Sequence, residues 1–317
     1  MSPLTILVTG ASGFIGSWLI PVLTNALPNS SIVGVGRRTE HPQESTGANY
    51  EYISCDLREP AGFKKYLPGK ANVIIHLAGD PRTFLKPEEA GHQVRTNVML
   101  TSNVLDYAVS AKTELFMLAS SVYVYSGNLE IPFREEEVGV PAENLGATKI
   151  AAEALVKARA VSGCFRSLAF RIFTAYGPRF RQTQFIPQAI KKLKSGEPTA
   201  RFGASDVKRD FIYVEDVAAA FLAGLSFQWQ KQMHEVLNVG SGEATSIKEI
   251  VFLLAELMEI HKPIEFSSDP PNRNKVDNDH QADLRRIQTV LGWKPATPLR
   301  EGLRRTIESV AVSSLNH

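Results

Sequence analysis

The stretch that most constrains how this chain folds runs from Leu4 to Ile20, with the sequence LTILVTGASGFIGSWLI. An apolar run is interrupted by Gly10, Gly13 and Gly16, and apolar residues then return at helical spacing. A strand, a glycine turn and a helix that begins at the turn form an anion site, because the free N–H groups of the first helical turn face the ligand. We expect Gly10 to permit the sharp exit from the strand, Gly13 to admit a pyrophosphate and Gly16 to let the helix pack closely. In this context the stretch predicts dinucleotide binding, the alternative being a glycine-rich loop such as any α/β protein can contain.

Composition and charge limit the class of protein. The 317 residues are 44% hydrophobic and 21% charged, with a net charge of +2, which is typical of a globular chain that forms one large domain or two interleaved ones. Because positive and negative charges nearly balance, we do not expect the chain to bind nucleic acid or a membrane surface. The two cysteines, Cys55 and Cys164, are too few for a cysteine metal cluster or a disulfide framework. No apolar run approaches the length of a membrane span and no basic segment precedes the first strand, so we expect a cytoplasmic protein without a metal site.

Strand and helix patterns alternate along the first half of the chain. After the first strand and helix, we predict strands at 31–35, 50–54, 72–77, 115–120 and 167–173, and helices at about 87–112 and 141–160. This alternation predicts an α/β fold with a Rossmann-type doubly wound parallel sheet. Residues 174–178 read as a turn cluster, and beyond them the alternation loosens. There we predict strands at 208–214 and 236–239 and helices at 185–194, 217–225, 246–259, 283–291 and 299–310, with Glu215 and Asp216 capping the second of these helices.

The residues that follow the next three strands bear on which dinucleotide binds. In NAD-binding proteins an acidic side chain at the end of the second strand bonds the ribose hydroxyls, but this chain has Arg37 and Arg38 there. Their guanidinium groups favour the 2′-phosphate of NADP. The alternative is that they are solvated charges of a surface loop. Asp56 either accepts from the adenine amino group or caps a helix. Small residues at 78–79 let the cofactor pass close to the backbone, and His76 is predicted to pack in the core.

Motifs that span nearly the whole chain carry a resemblance to a known family. They are VTGASGFIG at 8–16, CDL at 55–57, IIHLAG at 74–79, NVMLTSNVL at 97–105, SSVYVYS at 120–126, GATKIAAE at 146–153, RIFTAYGP at 171–178, RDFIYVEDVA at 209–218, NVGSGEATSIKEI at 238–250 and LGWKPATPLREGL at 291–303. As an ordered set they resemble the extended short-chain dehydrogenases/reductases of the nucleotide-sugar epimerase/dehydratase group. The resemblance implies a tightly bound, recycled nicotinamide cofactor, with NAD ahead of NADP, and a nucleotide-sugar substrate that is UDP-linked. It also implies a homodimer whose helices near 92–112 and 143–161 pair.

The resemblance further implies the division of the chain and the residues that bind the cofactor. Residues 1–172, with 208–240 returning to them, would form the dinucleotide-binding Rossmann domain. Residues 173–207 and 241–317 would form a smaller mixed α/β region that binds the nucleotide sugar. The expected cofactor-binding residues are Gly10, Ser12, Gly13, Phe14, Ile15, Gly16, Arg37, Asp56, Leu57, Leu77, Ala78, Gly79, Asn97 and Lys149.

The family's reaction assigns roles to other residues. Such enzymes oxidise a sugar hydroxyl, usually the 4-hydroxyl, to a ketone and later return the hydride, which gives an epimer or a dehydrated sugar. By its position in the motif, Ser121 matches the residue that hydrogen-bonds the reacting hydroxyl. Lys149 matches the lysine that holds the nicotinamide ribose, and Asn97 matches the helix asparagine of the active-site region. Arg209 and Arg273 resemble the arginines that grip the nucleotide diphosphate, a bidentate task suited to guanidinium groups.

One departure from the family concerns its general base. Four residues before Lys149 the family has a tyrosine, and this chain has Leu145, which cannot accept a proton; such a base contributes ~10²–10⁴-fold to the rate. Tyr123 is the best substitute, because it follows Ser121 by two along a segment we expect to be extended, so that both side chains would share one face. The family's 4,6-dehydratases carry a proton-removing glutamate at this position, and a nearby lysine would lower the pKa of the phenol. The alternative is that Tyr123 forms an aromatic wall under the sugar. Tyr125 matches a tyrosine usual in the family and is predicted to be structural.

A second departure is Thr174, where the family commonly has an asparagine that contacts the sugar nucleotide. Two departures in one pocket resemble the dehydratases of antibiotic biosynthesis, such as the tunicamycin-type UDP-N-acetylglucosamine 5,6-dehydratase. The first hypothesis is therefore an NAD(P)-dependent nucleotide-sugar dehydratase (a lyase) with a relocated acid/base. The second is a nucleotide-sugar 4-epimerase. The third, motivated by Leu145, is a catalytically inactive protein that binds cofactor and nucleotide.

Overall fold

The computed structural model describes residues 3–39, 47–83, 87–125, 129–141, 143–180, 182–203, 206–226, 233–267 and 279–313. The strands are β1 (Thr5–Thr9), β2 (Ser31–Gly36), β3 (Tyr50–Ser54), β4 (Val73–His76), β5 (Leu115–Ser121), β6 (Arg166–Ile172), β7 (Thr174–Tyr176), β8 (Ala200–Phe202), β9 (Lys208–Tyr213), β10 (His234–Val239), β11 (Ala244–Ser246) and β12 (Ile264–Phe266). The α-helices are α1 (Phe14–Ala26), α2 (Phe63–Tyr66), α3 (Ala90–Val94), α4 (Leu100–Ser110), α5 (Asn144–Val161), α6 (Phe185–Lys194), α7 (Val214–Leu225), α8 (Ile247–Leu257), α9 (Arg285–Leu291) and α10 (Leu299–Ser313). Short 3₁₀ turns lie at Pro60–Gly62, Pro87–Glu89 and Val122–Tyr125, and the π-helical segment Arg95–Met99 joins α3 to α4.

A parallel sheet of seven strands, in the order β10-β6-β5-β4-β1-β2-β3, forms the centre of the molecule. The strand order reverses between β1 and β4, and ligands of doubly wound sheets bind in the crevice at such a point. The predicted Rossmann-type sheet is therefore confirmed. Ile6 and Val8 of β1 belong to one apolar cluster and Leu7 to another, on the opposite face of the sheet. Because both faces are covered, the central strands are apolar at nearly every position.

The remaining elements build a smaller layer beside the sheet. Strands β11, β9 and β7 form a three-stranded sheet, and β12 pairs with β8. The third apolar cluster joins α6, α8 and α10 to these strands. The division into two domains, in which residues 208–240 return to the larger one, remains a prediction. In the structure β10 lies in the seven-stranded sheet and β9 in the three-stranded sheet. In the described ranges no helix is both long and apolar enough to cross a membrane.

Two local predictions were wrong, and three short strands were not predicted. Residues 174–176 form β7 where a turn was expected, because pairing with β9 extends them. Helix α7 begins at Val214, so Glu215 and Asp216 lie in its first turn and Tyr213 occupies the N-cap. Strands β8, β11 and β12 are three residues long, too short to show a period of two in the sequence.

Candidate active site

A cleft of about 410 Å³ opens at the carboxyl ends of β1, β2 and β4. At its base the chain leaves β1 through Gly10, whose φ of 70° lies in the left-handed region that favours glycine. Helix α1 then begins, with Gly13 as its N-cap. The cleft is lined by Gly10, Ser12, Gly13, Val35, Gly36, Arg37, Arg38, Cys55, Asp56, Leu57, Arg58, Leu77, Ala78, Gly79, Thr96 and Leu100.

The glycine turn is packed too closely for side chains. A Cβ built on Gly10 would lie 2.8 Å from the backbone nitrogen of Ala78, and one on Gly16 would lie 2.4 Å from the carbonyl oxygen of Gly10. The start of α1 therefore rests directly on the turn, and its free N–H groups lie where a pyrophosphate would be held.

Charged groups surround the end of the cleft beside β2 and β3. Arg37 and Arg38 are exposed there. The carboxylate of Asp56 accepts from the Arg58 guanidinium at 3.0 Å, and this bond lowers its pKa. Glu59 occupies the N-cap of the following turn, so Asp56 does not cap a helix. Its bond to adenine remains a prediction.

Asn97 is fully enclosed in the π-helical segment beside the cleft, with 2% of its surface exposed. Its Oδ1 accepts from the Asp80 N–H at 2.7 Å, and its Nδ2 donates to Thr148 Oγ1 at 3.0 Å. The residue thus ties the loop after β4 to helix α5. A Cβ on Gly79 would lie 2.9 Å from Asn97 Oδ1, which explains the glycine at this position.

Lys149 reaches from α5 to the edge of the cleft. Its Nζ donates to the carbonyl oxygen of Ala119 at 2.7 Å, and it lies 3.7 Å from a Cβ built on Gly79. Burial lowers the pKa of Lys149 to about 8, and the nearby Glu153 carboxylate acts in the opposite direction. The ammonium group therefore stands beside both the predicted cofactor site and the end of β5.

The segment after Ser121 departs from the extended conformation that we predicted. Strand β5 ends at Ser121, and residues 122–125 form a 3₁₀ turn in which the Tyr123 N–H donates to Ser121 Oγ at 3.3 Å. Because a 3₁₀ turn has three residues per turn, the alternation of a strand no longer places Ser121 and Tyr123 on one face. Both residues are partly exposed and lie next to each other at the carboxyl end of the sheet.

Position 145, where the family has its tyrosine, adjoins the same turn. Leu145 is buried, with 3% of its surface exposed. A Cβ on the next residue, Gly146, would lie 2.2 Å from the carbonyl oxygen of Tyr123, so the start of α5 packs directly against that turn. Tyr123 and Leu145 therefore belong to one small region.

Below Ser121 lies a buried polar network that the sequence reasoning missed. The Ser120 hydroxyl donates to Glu153, and Arg171 donates to both oxygens of the same carboxylate at 3.1 and 2.9 Å. Arg171 also lies over the ring of Tyr125, 4.8 Å from its centroid. Glu153 follows Lys149 by four residues in α5, and this spacing is the signal that could have predicted a shared face.

His76 and Tyr125 are both buried, as we expected of a core histidine and a structural tyrosine. The ring of His76 bonds Thr9 Oγ1 at 2.7 Å and Thr101 Oγ1 at 3.0 Å. Tyr125 donates to Asn238 Oδ1 at 2.6 Å. Neither side chain is available to a ligand.

Two of the predicted substrate residues lie in the three-stranded sheet. Thr174 begins β7, and Arg209 lies in β9, one residue before Asp210. Asp210 is fully buried and accepts from the Ser241 N–H at 2.6 Å, and from two further backbone N–H groups at 2.9 and 3.0 Å. Arg273 lies outside the described residues. Among those that are described, no group of three or more His, Cys, Asp or Glu side chains could hold a metal ion.

Comparisons with known proteins agree with this geometry. The model of the "NAD dependent epimerase/dehydratase family" matches residues 6–240. The chain is 28% identical to the dTDP-D-glucose 4,6-dehydratase of Mus musculus over 319 residues, which cover 96% of this chain and 87% of the relative. The solved structure of MoeE5 in complex with UDP-glucuronic acid and NAD is 33% identical, with a TM-score of 0.82 over 98% of this chain and 99% of that one. A UDP-glucuronic acid 4-epimerase from Bacillus cereus, solved with UDP-glucuronic acid and NAD, is 25% identical, with a TM-score of 0.83 over 98% and 100% of the two chains.

The family match covers well over half of the chain, and its description names NAD, which we had placed ahead of NADP. The similar proteins include both dehydratases and epimerases of nucleotide sugars. The chain therefore belongs to the NAD dependent epimerase/dehydratase family of enzymes.

Proposed function

We propose that the protein is an NAD-dependent nucleotide-sugar dehydratase that acts on a UDP-hexose or UDP-hexosamine through transient oxidation of the sugar 4-hydroxyl. The observation that carries the proposal is the position of Tyr123. It is partly exposed on the turn directly after Ser121, and the backbone of that turn packs against Gly146, the residue next to Leu145, which replaces the family's tyrosine. The phenol of Tyr123 thus belongs to a residue close to position 145, where the family has its catalytic tyrosine and this chain has a leucine.

The residues of the cleft fit NAD. The glycine turn and the start of α1 would hold the pyrophosphate, and the narrow space at Gly79 would let the nicotinamide half pass Asn97 and Lys149. When bound, NAD accepts a hydride from the sugar and later returns it. Arg37 at the ribose end could also hold the 2′-phosphate of NADP, which the same enzyme would then use as an alternative.

The chain's own residues divide the proton chemistry. Ser121 Oγ would hydrogen-bond the reacting hydroxyl at the end of β5. Tyr123 would accept the proton of that hydroxyl, in place of the missing tyrosine, while the hydride passes to NAD. For the loss of water, the same phenol would give this proton to the departing hydroxyl, accept the proton of the carbon beside the ketone and return it when the hydride comes back. Lys149, whose pKa burial lowers to about 8, is mostly cationic at neutral pH and would favour the phenolate form of a nearby phenol. Thr174 and Arg209, with Arg273, would bind the nucleotide sugar.

The first experiment is mass spectrometry of the products from a panel of UDP-, dTDP- and GDP-linked sugars in deuterated water. We expect a product from a UDP-sugar that is lighter by one water. Tyr123→Phe should lower kcat by ~10²–10⁴-fold, while Tyr66→Phe, at an exposed surface tyrosine, should leave it unchanged. Full turnover by Tyr123→Phe would refute the acid/base role. An enzyme that binds NAD and converts no sugar would refute the catalytic proposal and favour a binding protein.

A nucleotide-sugar 4-epimerase is the second candidate. The observation in its favour is the likeness to the Bacillus cereus 4-epimerase, which covers 98% of this chain. An epimerase needs no base at the carbon next to the ketone, so its product would keep the substrate's mass, change its stereochemistry and contain no deuterium.

We also propose that the enzyme is a homodimer that pairs its helices near 92–112 and 143–161. Four large apolar side chains on these helices are exposed in the single chain, namely Val94, Met99, Val109 and Val161. Light scattering should give twice the mass of the chain, and Met99→Glu should reduce it. A monomer at micromolar concentration would contradict the proposal.

A further inference from the structure

His76 is the last residue of β4, directly before residues 77–79 of the cofactor cleft, and it has a hydroxyl group at each ring nitrogen. Its Nδ1 lies 2.7 Å from Thr9 Oγ1, and its Nε2 lies 3.0 Å from Thr101 Oγ1. All three side chains are buried, with at most 2% of their surfaces exposed. The proposed reaction assigns no role to this histidine, although its neighbours in the chain line the cleft.

The two hydroxyl groups determine which ring nitrogen carries the proton. Thr101 Oγ1 donates its only proton to the carbonyl oxygen of Asn97, at 2.6 Å. It can therefore only accept from His76, so Nε2 is the protonated nitrogen. Burial, assisted by the positive charge of Lys149, lowers the pKa of His76 to about 3 and keeps the ring neutral. Nδ1 is then an acceptor, and the hydroxyl group of Thr9 donates to it.

This chain of hydrogen bonds joins the two ends of the cleft. At one end, Thr9 directly precedes the glycine turn, and its Oγ1 also accepts from the Ala78 N–H at 3.2 Å. At the other end, Asn97 lies in the π-helical segment, and its Nδ2 donates to Thr148, the neighbour of Lys149 in α5. Each proton of the chain has its own acceptor, so a rotation of any one of these side chains leaves a buried polar group unpaired.

We propose that His76 is a positioning residue that locks the glycine turn to Asn97, and so holds the pyrophosphate and nicotinamide ends of the cleft in the geometry that binds NAD. The inference rests on the family's use of NAD, and on the proposed function where that places the nicotinamide beside Asn97 and Lys149. An apolar ring of similar size would leave the hydroxyl groups of Thr9 and Thr101 each without one partner. The turn and the π-helical segment would then shift independently, and only the fraction of molecules in the correct geometry would bind NAD.

Fluorescence titration with NAD tests this inference on His76→Phe and on a matched control, His234→Phe. His234 also places its Nδ1 2.7 Å from a hydroxyl group, that of Ser167, but at the amino ends of β10 and β6, away from the cleft. Both variants should have a lower Tm, because each leaves a hydroxyl group without its partner. We expect His76→Phe to bind NAD about tenfold more weakly than wild type, and His234→Phe to bind it within about twofold. His76→Asn, whose amide keeps an acceptor and a donor, should recover part of the NAD affinity.

NMR of the NAD-bound enzyme, prepared with isotope-labelled histidine, tests the arrangement of protons. We expect one ring with a protonated Nε2 and an unprotonated Nδ1, which keeps this state from about pH 5 to pH 9. The spectrum of His76→Phe identifies these signals by their absence.

Two outcomes overturn the inference. One is the same NAD affinity in His76→Phe and His234→Phe at a similar loss of Tm, which would make His76 a residue of stability alone. The other is a His76 ring that is protonated at Nδ1, because the chain of donors would then be broken at Thr9. If His76→Phe is insoluble, Thr101→Val interrupts the chain at its other end and provides the same comparison. Since the titration needs no turnover, an enzyme that binds NAD and converts no sugar refutes the proposed function alone.

Discussion

The buried ion pair between Glu153 and Arg171 gives the sharpest prediction about stability. Arg171 has 3% and Glu153 has 7% of its surface exposed, and their closest atoms lie 2.9 Å apart. Glu153→Gln removes the negative charge at nearly constant volume. The guanidinium would then remain buried with two backbone carbonyl oxygens, at 3.0 and 3.2 Å, and the face of the Tyr125 ring.

The size of the effect follows from this geometry. At 2.9 Å and an effective dielectric constant of ~20, the gross Coulomb attraction is about 6 kcal/mol. The carbonyl oxygens and the aromatic ring compensate part of that loss. We therefore expect Glu153→Gln to lower the free energy of unfolding by about 3–5 kcal/mol, the range for removing one partner of a buried pair.

Equilibrium urea unfolding, followed by fluorescence, measures this change. The matched control is Asp106→Asn, which breaks the exposed ion pair between Asp106 in α4 and Arg159 in α5, whose charged atoms lie 2.6 Å apart. This variant should lower the free energy of unfolding by less than about 1 kcal/mol. The double variant Glu153→Leu with Arg171→Met should lose less than Glu153→Gln alone, because no unpaired charge is buried. Equal losses for Glu153→Gln and the control would refute the reasoning.

Three further predictions concern the site. The pKa of Lys149 is lowered to about 8, so its side chain loses its positive charge as the pH rises through that value. We expect kcat/KM to fall over the same pH range. In Lys149→Met this decrease of kcat/KM with rising pH should be absent. Gly16→Ala places a Cβ 2.4 Å from the carbonyl oxygen of Gly10, so fluorescence titration should show a loss of NAD binding, whereas Gly69→Ala, with no atom within 4 Å, should bind as wild type. Asp210→Asn replaces a buried carboxylate that accepts three backbone N–H groups. Urea unfolding should show a loss of about 1–3 kcal/mol for each donor left unpaired, and no loss would contradict that account.

The parallel sheet, and the glycine turn that lines the cleft, could both be predicted from the amino-acid sequence. Both depend on local chemistry: apolar runs form strands that are buried on both faces, and the glycines at 10 and 16 occur where no Cβ fits. The same local reasoning identified His76 as a core residue. The absence of the usual base at Leu145 was also visible, because the motif fixes its distance from Lys149.

The surroundings of Tyr123, in contrast, depend on how distant parts of the chain pack together. The 3₁₀ turn after Ser121 is invisible to a pattern of alternation, since it follows from a backbone bond to a hydroxyl group and from the packing of α5 against the turn. The contact of Tyr123 with His280 joins segments that are far apart in the chain, and that of Glu153 with Arg171 joins a helix to the strand that follows it. No local periodicity encodes such contacts, because they exist only once the separate strands and helices have packed together.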